Sequence, residues 1–343
     1  MDLIIKPTEK CNFKCTFCSS THITDNKAAE LDHTKIFEFL TRYPETNTII
    51  VNGGDPLMMH PDYYWKIINW LDERNYSTTI SFTTNLYPFY KKPQKWVSLF
   101  NNKRMGITTS FQYGGGRLKG DLTEFSEEDF WNVSDTMLKY CGYRPDFISV
   151  ITEENEHVAI KNVELAKAMD VECKLNYAMS SGPPVTFKGI TIGHQGKPYL
   201  LAKIYEIYVD IWKLGLSPWE FNTKQMMKRL RGNTTCCPQN RECDANIRAL
   251  QPSGDYYSCG AFGDDMKYPI NFETEMAGAS IRPLKYQFDL QTMTDNCYGC
   301  PMFEICNGCK KTIKDHKDHG ITESHCIKMK KLAQDIIHAN NIN

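Results

Sequence analysis

Six short apolar runs recur through the first 180 residues, and each has the length of a strand buried on both faces. The runs are Leu3–Ile5, Thr48–Val51, Thr78–Thr84, Met105–Phe111, Phe147–Ile151 and Val171–Tyr177. Between them lie segments with apolar residues at three- and four-residue spacing, which is typical of amphipathic helices. Six strands joined by five helical crossovers predict a parallel sheet of the α/β class, either open or curled into part of a barrel.

Three of the helices carry signals for their positions. Apolar residues from Tyr64 to Leu71 follow the i, i+3, i+4, i+7 spacing of one helix face. Ser126–Asp129 spells a capping box for a helix that ends at Gly142, and a third pattern covers Asn155 to Asp170. In such folds ligands collect where the parallel strands end, so we expect the chemistry in the loops that follow the strands.

Composition divides the chain into three segments. Pro183-Pro184 and the glycines up to Gly196 interrupt the α/β pattern, and two helical patterns follow, Pro198–Leu214 and Trp219–Leu230. From Cys236 the chain is rich in cysteine, and its last fifteen residues have the pattern of an amphipathic helix. The predicted bounds are 1–190 for the barrel, 191–235 for connecting helices and 236–343 for a small cysteine-rich domain.

The overall charge argues against two classes of partner. The formal net charge is −1, with 41% hydrophobic and 24% charged residues, so no basic footprint indicates nucleic acid or an anionic membrane. No apolar stretch approaches the roughly 18–20 residues that span a bilayer. The N-terminal MDLIIKPTEK has an apolar run of only three residues before Lys6 and Pro7, which does not fit a signal peptide and predicts a cytoplasmic protein.

Fourteen cysteines without an export signal indicate a reducing compartment and metal binding rather than disulfides. Cys11, Cys15 and Cys18 lie together on the loop after the first strand. Three thiolates this close suit an iron–sulfur cluster with one open position. The alternative is a structural zinc site, which needs a fourth ligand such as His22.

The stretch CNFKCTFC resembles the signature of radical S-adenosylmethionine (SAM) enzymes, including the aromatic Phe17 before the third cysteine. The resemblance implies that the three thiolates hold three irons of a [4Fe-4S] cluster and that SAM chelates the fourth iron. It also implies a partial (β/α)6 barrel. In this family the cluster cleaves SAM to methionine and a 5′-deoxyadenosyl radical, which abstracts hydrogen from a substrate.

Further matches imply where SAM is held. Asn52-Gly-Gly-Asp-Pro56 resembles the GGEP segment that binds the SAM amino group, although Asp55 replaces the usual glutamate and backbone carbonyls are alternative acceptors. The glycines are expected to expose backbone for close approach. Arg117 is expected to clamp the SAM carboxylate, or else to be a solvated loop arginine, and glycines 114–116 are interpreted as a flexible lid. The implied SAM-binding residues are Phe17, Asn52, Gly53, Gly54, Asp55, Pro56, Asn85, Ser110, Arg117 and Thr152.

The stretch CYGCPMFEICNGC, residues 297–309, is too compact for a zinc ribbon, because Cys300 and Cys306 are separated by only five residues. With the upstream and downstream cysteines it resembles the SPASM domain of radical SAM peptide maturases and anaerobic sulfatase-maturating enzymes. The resemblance implies two auxiliary [4Fe-4S] clusters, hence three in all. The distal ligands are Cys297, Cys300, Cys306 and Cys326, and the proximal ligands are Cys237, Cys243, Cys259 and Cys309. Cys309 departs from the family spacing by one residue, so an open proximal iron is the alternative.

The resemblance implies an oxidoreductase that modifies a ribosomally made peptide by crosslinking, thioether formation, epimerisation or oxidation. The alternatives are a dehydrogenase of small alcohols or sugars, and a non-catalytic iron–sulfur or zinc scaffold. Because the first strand begins within five residues of the start, we expect no N-terminal peptide-recognition domain, so a separate leader-binding protein or the barrel itself reads the peptide. The expected electron donor is a flavodoxin or ferredoxin. The catalytic candidates are Cys236 as a hydrogen-atom donor, Glu153 and Tyr177.

Overall fold

The computed structural model describes residues 1–20, 29–193, 198–228, 246–273, 297, 299–300, 302–306 and 309–342. The strands are β1 (Asp2–Ile5), β2 (Thr48–Val51), β3 (Thr79–Thr83), β4 (Met105–Ser110), β5 (Asp146–Ile151), β6 (Cys173–Tyr177), β7 (Val185–Phe187), β8 (Ile190–Ile192), β9 (Ile247–Leu250) and β10 (Tyr256–Tyr257). The helices are α1 (His33–Arg42), α2 (Pro61–Glu73), α3 (Tyr87–Lys91), α4 (Val97–Phe100), α5 (Glu127–Cys141), α6 (Ala159–Met169), α7 (Leu201–Lys213), α8 (Phe221–Lys228), α9 (Gly260–Asp264), α10 (Phe303–Cys306), α11 (Lys310–Asp318) and α12 (Thr322–Asn341).

One sheet organises the barrel, with its strands in the order β10-β9-β1-β2-β3-β4-β5-β6. The six strands predicted from the sequence are all present, parallel and in chain order. The sheet also includes two strands that were not predicted. β9 pairs in parallel with β1, and β10 returns antiparallel to β9. The predicted C-terminal segment therefore contributes to the barrel sheet.

The helix signals are confirmed. In α2 the side chains of Tyr64, Ile67, Ile68 and Leu71 are buried against the sheet. The Ser126 side chain accepts a hydrogen bond from the Asp129 backbone N–H at 3.1 Å, and Gly142 ends α5 with a φ of 83°. The Asn155–Asp170 pattern forms a short 3-10 turn, Glu156–Val158, that runs into α6. These elements hold the carboxyl ends of the strands at one edge of the molecule.

The cysteine-rich segment packs on the end of β6 and on α7. The Tyr177 hydroxyl lies 2.7 Å from Thr312 Oγ1, and Lys311 Nζ donates to the Ser180 carbonyl at 2.8 Å. From α7 the Tyr205 hydroxyl donates to the Ile305 carbonyl at 2.9 Å. These contacts place the C-terminal cysteines beside the carboxyl edge of the barrel.

Among the helices in the described ranges, none combines the length and apolar character that a bilayer crossing requires. The end of the helix predicted to reach Leu230 lies outside the described residues, as do His22, Cys236, Cys237 and Cys243.

Candidate functional site

A cavity of about 430 Å³ opens at the carboxyl edge of the sheet, and Cys11, Cys15 and Cys18 all line it. This volume lies within the roughly 300–1,000 Å³ of ligand pockets. Burial raises the pKa of all three thiols, and the nearby Cys15 raises the pKa of Cys11 and Cys18 further, in the case of Cys18 to about 11. The three sulfurs are therefore neighbours in a desolvated site, where a bound metal would favour the thiolate forms.

The cysteine loop is held by a second loop, residues 113–124. Lys14 N donates to the Leu118 carbonyl at 2.7 Å, and Thr16 N donates to the Gly116 carbonyl at 2.9 Å. Gly116 has a φ of 81°, and a Cβ on it would lie 2.8 Å from the Thr16 hydroxyl. A Cβ on Gly114 would lie 2.5 Å from Asn155. The triple glycine therefore packs against the cysteine loop and against Asn155, and its interpretation as a flexible lid stays a prediction.

Gly53 and Gly54 allow backbone to approach backbone. A Cβ on Gly54 would lie 2.1 Å from the Lys10 carbonyl oxygen and 2.3 Å from that of Glu9. A Cβ on Gly53 would lie 2.5 Å from the Thr8 carbonyl oxygen, and Gly53 has a φ of 119°. Gly54 N also donates to that oxygen at 2.9 Å. The glycines were expected to expose backbone for close approach; both line the cavity, and they also let the segment after β2 support the cysteine loop.

The Asp55 carboxylate accepts hydrogen bonds from other groups of the protein. It accepts hydrogen bonds from Leu57 N at 2.9 Å, Thr84 Oγ1 at 2.9 Å and Asn85 N at 2.8 Å. Burial raises the pKa of Asp55 to about 6, although these hydrogen bonds act in the opposite direction. Asp55 therefore joins the loops after β2 and β3. Asn52 lines the cavity, and its Oδ1 is buried without a hydrogen-bond partner in the described part of the chain, so it is the freer acceptor.

Arg117 is buried, with 6% of its surface exposed, so the interpretation as a solvated loop arginine is wrong. Its guanidinium donates to Ser110 Oγ at 2.9 Å and to Gln112 Oε1 at 2.7 and 3.0 Å. It also lies over the Phe17 ring, 5.2 Å from the centroid. Phe17, Ser110 and Arg117 all line the cavity. The guanidinium is thus a fixed positive charge beside the three thiols.

The structure separates the remaining candidates into two groups. Asn85 and Tyr177 line the cavity. Pro56, Thr152 and Glu153 are not on its wall. The Pro56 carbonyl accepts from Tyr64, Thr152 is bound within its own loop, and Glu153 is largely exposed near Lys203.

One buried pair in the cavity was missed by the sequence interpretation. Lys6, directly after β1, forms an ion pair with Asp264 at the end of α9, and both side chains are less than one-tenth exposed. Lys6 Nζ also donates to Ser20 Oγ at 3.2 Å. The available signal was a lysine directly after a buried strand, at the edge where ligands collect. Nothing in the sequence indicated Asp264 as its partner.

The C-terminal cysteines form a second group. Cys297, Cys300, Cys306 and Cys326 line one small apolar cavity together with His325. Burial, with smaller contributions from Cys326 and Cys300, raises the pKa of Cys297 to about 11. The four thiols that the SPASM resemblance assigns to one cluster are therefore close together.

The described half of the proximal set also converges. Burial, with a smaller contribution from the nearby Cys309, raises the pKa of Cys259 to about 11. Within the described ranges no three His, Cys, Asp or Glu side chains are placed to hold a single metal ion.

No protein-family model and no curated protein sequence matches this chain. Solved structures do match it. The structure of anSMEcpe, an anaerobic sulfatase-maturating enzyme, with bound AdoMet has a TM-score of 0.70 at 15% identity and covers 100% of this chain and 96% of that chain. The same enzyme with AdoMet and the Cp18Cys peptide gives a TM-score of 0.68 at 14% identity, covering 100% and 99%. Streptococcus suis SuiB bound to S-adenosylmethionine gives 0.55 at 17% identity, covering 90% and 72%.

The fold is therefore that of the radical SAM structures with a cysteine-rich C-terminal region, as the sequence predicted. At these identities the likeness concerns the fold. The chemistry has to be argued from this chain's own residues.

Proposed function

We propose that this protein is a radical SAM enzyme of the SPASM type that modifies a ribosomally made peptide. The observation that carries the proposal is one cavity that brings the three cysteines of the first loop together with Asn52, Ser110 and Arg117. When bound, the cluster and SAM would supply an electron and a 5′-deoxyadenosyl radical for hydrogen abstraction. The donor set fits the cluster, because three neighbouring thiols leave one iron for another ligand.

The residues of this chain have distinct tasks in the proposal. Arg117, held by Ser110 and Gln112, offers a fixed positive charge to the SAM carboxylate. Asn52 Oδ1 offers an acceptor to the SAM ammonium group. Asp55 fixes the loops after β2 and β3, so it acts through the residues that it positions.

In this proposal residues 1–190 form the barrel, whose sheet β9 and β10 extend, 191–235 form the connection and 236–343 the SPASM domain. The barrel cluster uses Cys11, Cys15 and Cys18. Two auxiliary clusters use the eight C-terminal cysteines assigned by resemblance, and they would accept or relay electrons during substrate oxidation. We propose a cytoplasmic enzyme whose reductant is a flavodoxin or ferredoxin.

A peptide is the proposed substrate because two similar folds were solved with peptides, anSMEcpe with Cp18Cys and SuiB with its precursor peptide SuiA. The SuiB–SuiA structure has a TM-score of 0.50 at 15% identity. The bond that forms and the residue that is modified are left to experiment.

The test is anaerobic reconstitution with iron, sulfide, SAM and dithionite, followed by mass spectrometry. Short peptides encoded beside the gene are compared with small alcohols and sugars. We expect one peptide to accelerate 5′-deoxyadenosine release and to change in mass. If only an alcohol or a sugar accelerates 5′-deoxyadenosine release, the result favours a small-molecule dehydrogenase. If no 5′-deoxyadenosine forms under any condition, the result favours a non-catalytic scaffold.

A further inference from the structure

His325 lies against one of the C-terminal cysteines. It is buried, with 1% of its surface exposed, in the first turn of α12. Its Nε2 atom is 3.2 Å from Cys306 Sγ, within the distance of a hydrogen bond to sulfur. Its Nδ1 atom has no hydrogen-bond partner in the part of the chain that the structure describes. Among the described residues, Cys306 Sγ is thus the hydrogen-bond partner of this ring.

A second histidine packs against the His325 ring. His316 on α11 is fully buried, and its ring centroid is 5.1 Å from that of His325. The His316 Nε2 atom lies 3.3 Å from the Tyr199 carbonyl oxygen and 3.4 Å from Leu201 N. The packing leaves His325 little freedom to turn away from Cys306.

Binding of iron to Cys306 would decide whether the Cys306 sulfur or His325 Nε2 donates the hydrogen bond between them. A thiol donates or accepts, but a thiolate sulfur bound to iron has no proton and only accepts. With Cys306 as a ligand, the proton must therefore lie on His325 Nε2, which donates to the sulfur. Hydrogen bonds to ligand sulfurs are among the factors that set cluster potentials, because reduction adds negative charge that a donor stabilises.

We propose that His325 is a positioning residue that donates an N–H···S hydrogen bond to Cys306 and raises the reduction potential of the distal cluster. The inference rests on the proposed function, since it takes Cys306 as a cluster ligand. The spacing of the cysteines does not predict this role for His325.

The experiment is a potentiometric titration followed by EPR spectroscopy. It uses the full chain, reconstituted anaerobically with Cys11, Cys15 and Cys18 replaced by alanine, so that only the auxiliary clusters remain. In this background His325→Leu removes the donor, His325→Gln keeps an N–H donor, and His319→Leu removes an exposed histidine whose ring contacts the Asp315 carbonyl.

We expect His325→Leu to lower one of the two midpoint potentials and to leave the other unchanged. The expected change in the reduction equilibrium is on the order of tenfold, or about 59 mV for a one-electron couple. His325→Gln should recover most of the shift, and His319→Leu should have no effect. Unchanged midpoints in His325→Leu would overturn the proposal.

Pulsed EPR of the chain with His325 intact covers the case in which the leucine variant does not keep its cluster. A weak ¹⁴N coupling on one reduced cluster is the expected sign of an N–H···S contact. Absence of this coupling, or the strong coupling of an iron-bound nitrogen, would overturn the inference. Failure of the proposed function is distinguishable, because it is read from 5′-deoxyadenosine formation in the chain with Cys11, Cys15 and Cys18 intact, whereas the midpoint potentials are measured in the chain without them.

Discussion

Gly54→Ala tests whether the segment after β2 supports the cysteine loop. The new methyl group would lie 2.1 Å from the Lys10 carbonyl oxygen and 2.3 Å from that of Glu9. An ordinary contact begins near 3.4 Å, so the two backbones must separate by 3.4 − 2.1 = 1.3 Å. Both atoms belong to backbone, so a rotamer change cannot relieve the clash.

The consequences follow from that displacement. Overpacking of this kind costs about 1–3 kcal/mol of unfolding free energy. The hydrogen bond from Gly54 N to the Thr8 carbonyl, 2.9 Å long, would also be strained. A misplacement of about 1 Å in a catalytic site lowers the rate by about 100-fold. We therefore expect both a less stable chain and a much slower cleavage of SAM.

The assay combines urea denaturation, iron content and the rate of 5′-deoxyadenosine formation. Gly106→Ala is the matched control, since the nearest atom to its Cβ is the Ile80 carbonyl oxygen at 4.0 Å. It should keep its iron and its rate. If Gly54→Ala behaves like this control, the reasoning about the loop contact is refuted.

Three further outcomes are expected. Arg117→Gln should weaken SAM binding by about tenfold, or about 1.4 kcal/mol, in calorimetry of the reconstituted protein, and an unchanged dissociation constant would contradict its role. Because the pKa of Asp55 is raised to about 6 from 3.8, its contribution to stability is present below about pH 4 and is lost as the pH rises through 6. Urea titrations of the apoprotein should therefore show that, between pH 4 and 7, the unfolding free energy of Asp55→Asn rises by up to about 3 kcal/mol relative to that of the wild type. If the unfolding free energies of the two proteins change with pH in parallel, this prediction is refuted. Asp264→Asn leaves the buried Lys6 without its ion-pair partner and should lower the unfolding free energy by about 3–5 kcal/mol. Adding Lys6→Met should recover much of this loss. If the loss in the double variant equals the sum of the losses in the two single variants, the two side chains are not coupled.

The parallel strands and the capped helices were predictable because their signals are local. The run Thr48–Val51 is apolar from Ile49 to Val51, with Ile49 and Val51 buried, and Ser126 caps its own helix. β9 escaped prediction because it is short, contains Arg248 and finds its partner β1 more than 240 residues away. Long-range pairing of this kind has no signature in one sequence.

The hairpin β7–β8 was missed although a signal existed. Lys188 and Gly189 lie between its strands, and both have positive φ values, 48° and 81°. This is the backbone of a two-residue hairpin turn. The nearby prolines and glycines were interpreted as a segment boundary.

The sequence indicated which residues lie at the site better than it indicated what each residue contacts there. The cysteine loop, Asn52 and Arg117 all meet at one cavity, as the resemblance implied. The structural contacts of Gly54 and Asp55 were not predicted, because both depend on atoms from other loops, the Lys10 carbonyl and the Asn85 N–H. Which group satisfies a buried carboxylate is decided by packing, which the sequence does not display.

The central claim is that Cys11, Cys15 and Cys18 hold the cluster that cleaves SAM. The most direct measurement is 5′-deoxyadenosine formed from SAM by the reconstituted wild type and by Cys15→Ala, with Cys141→Ala as the control outside the cavity. We expect the product from the wild type and from the control, and none above background from Cys15→Ala. Equal formation by Cys15→Ala, or none by the wild type, would contradict the claim.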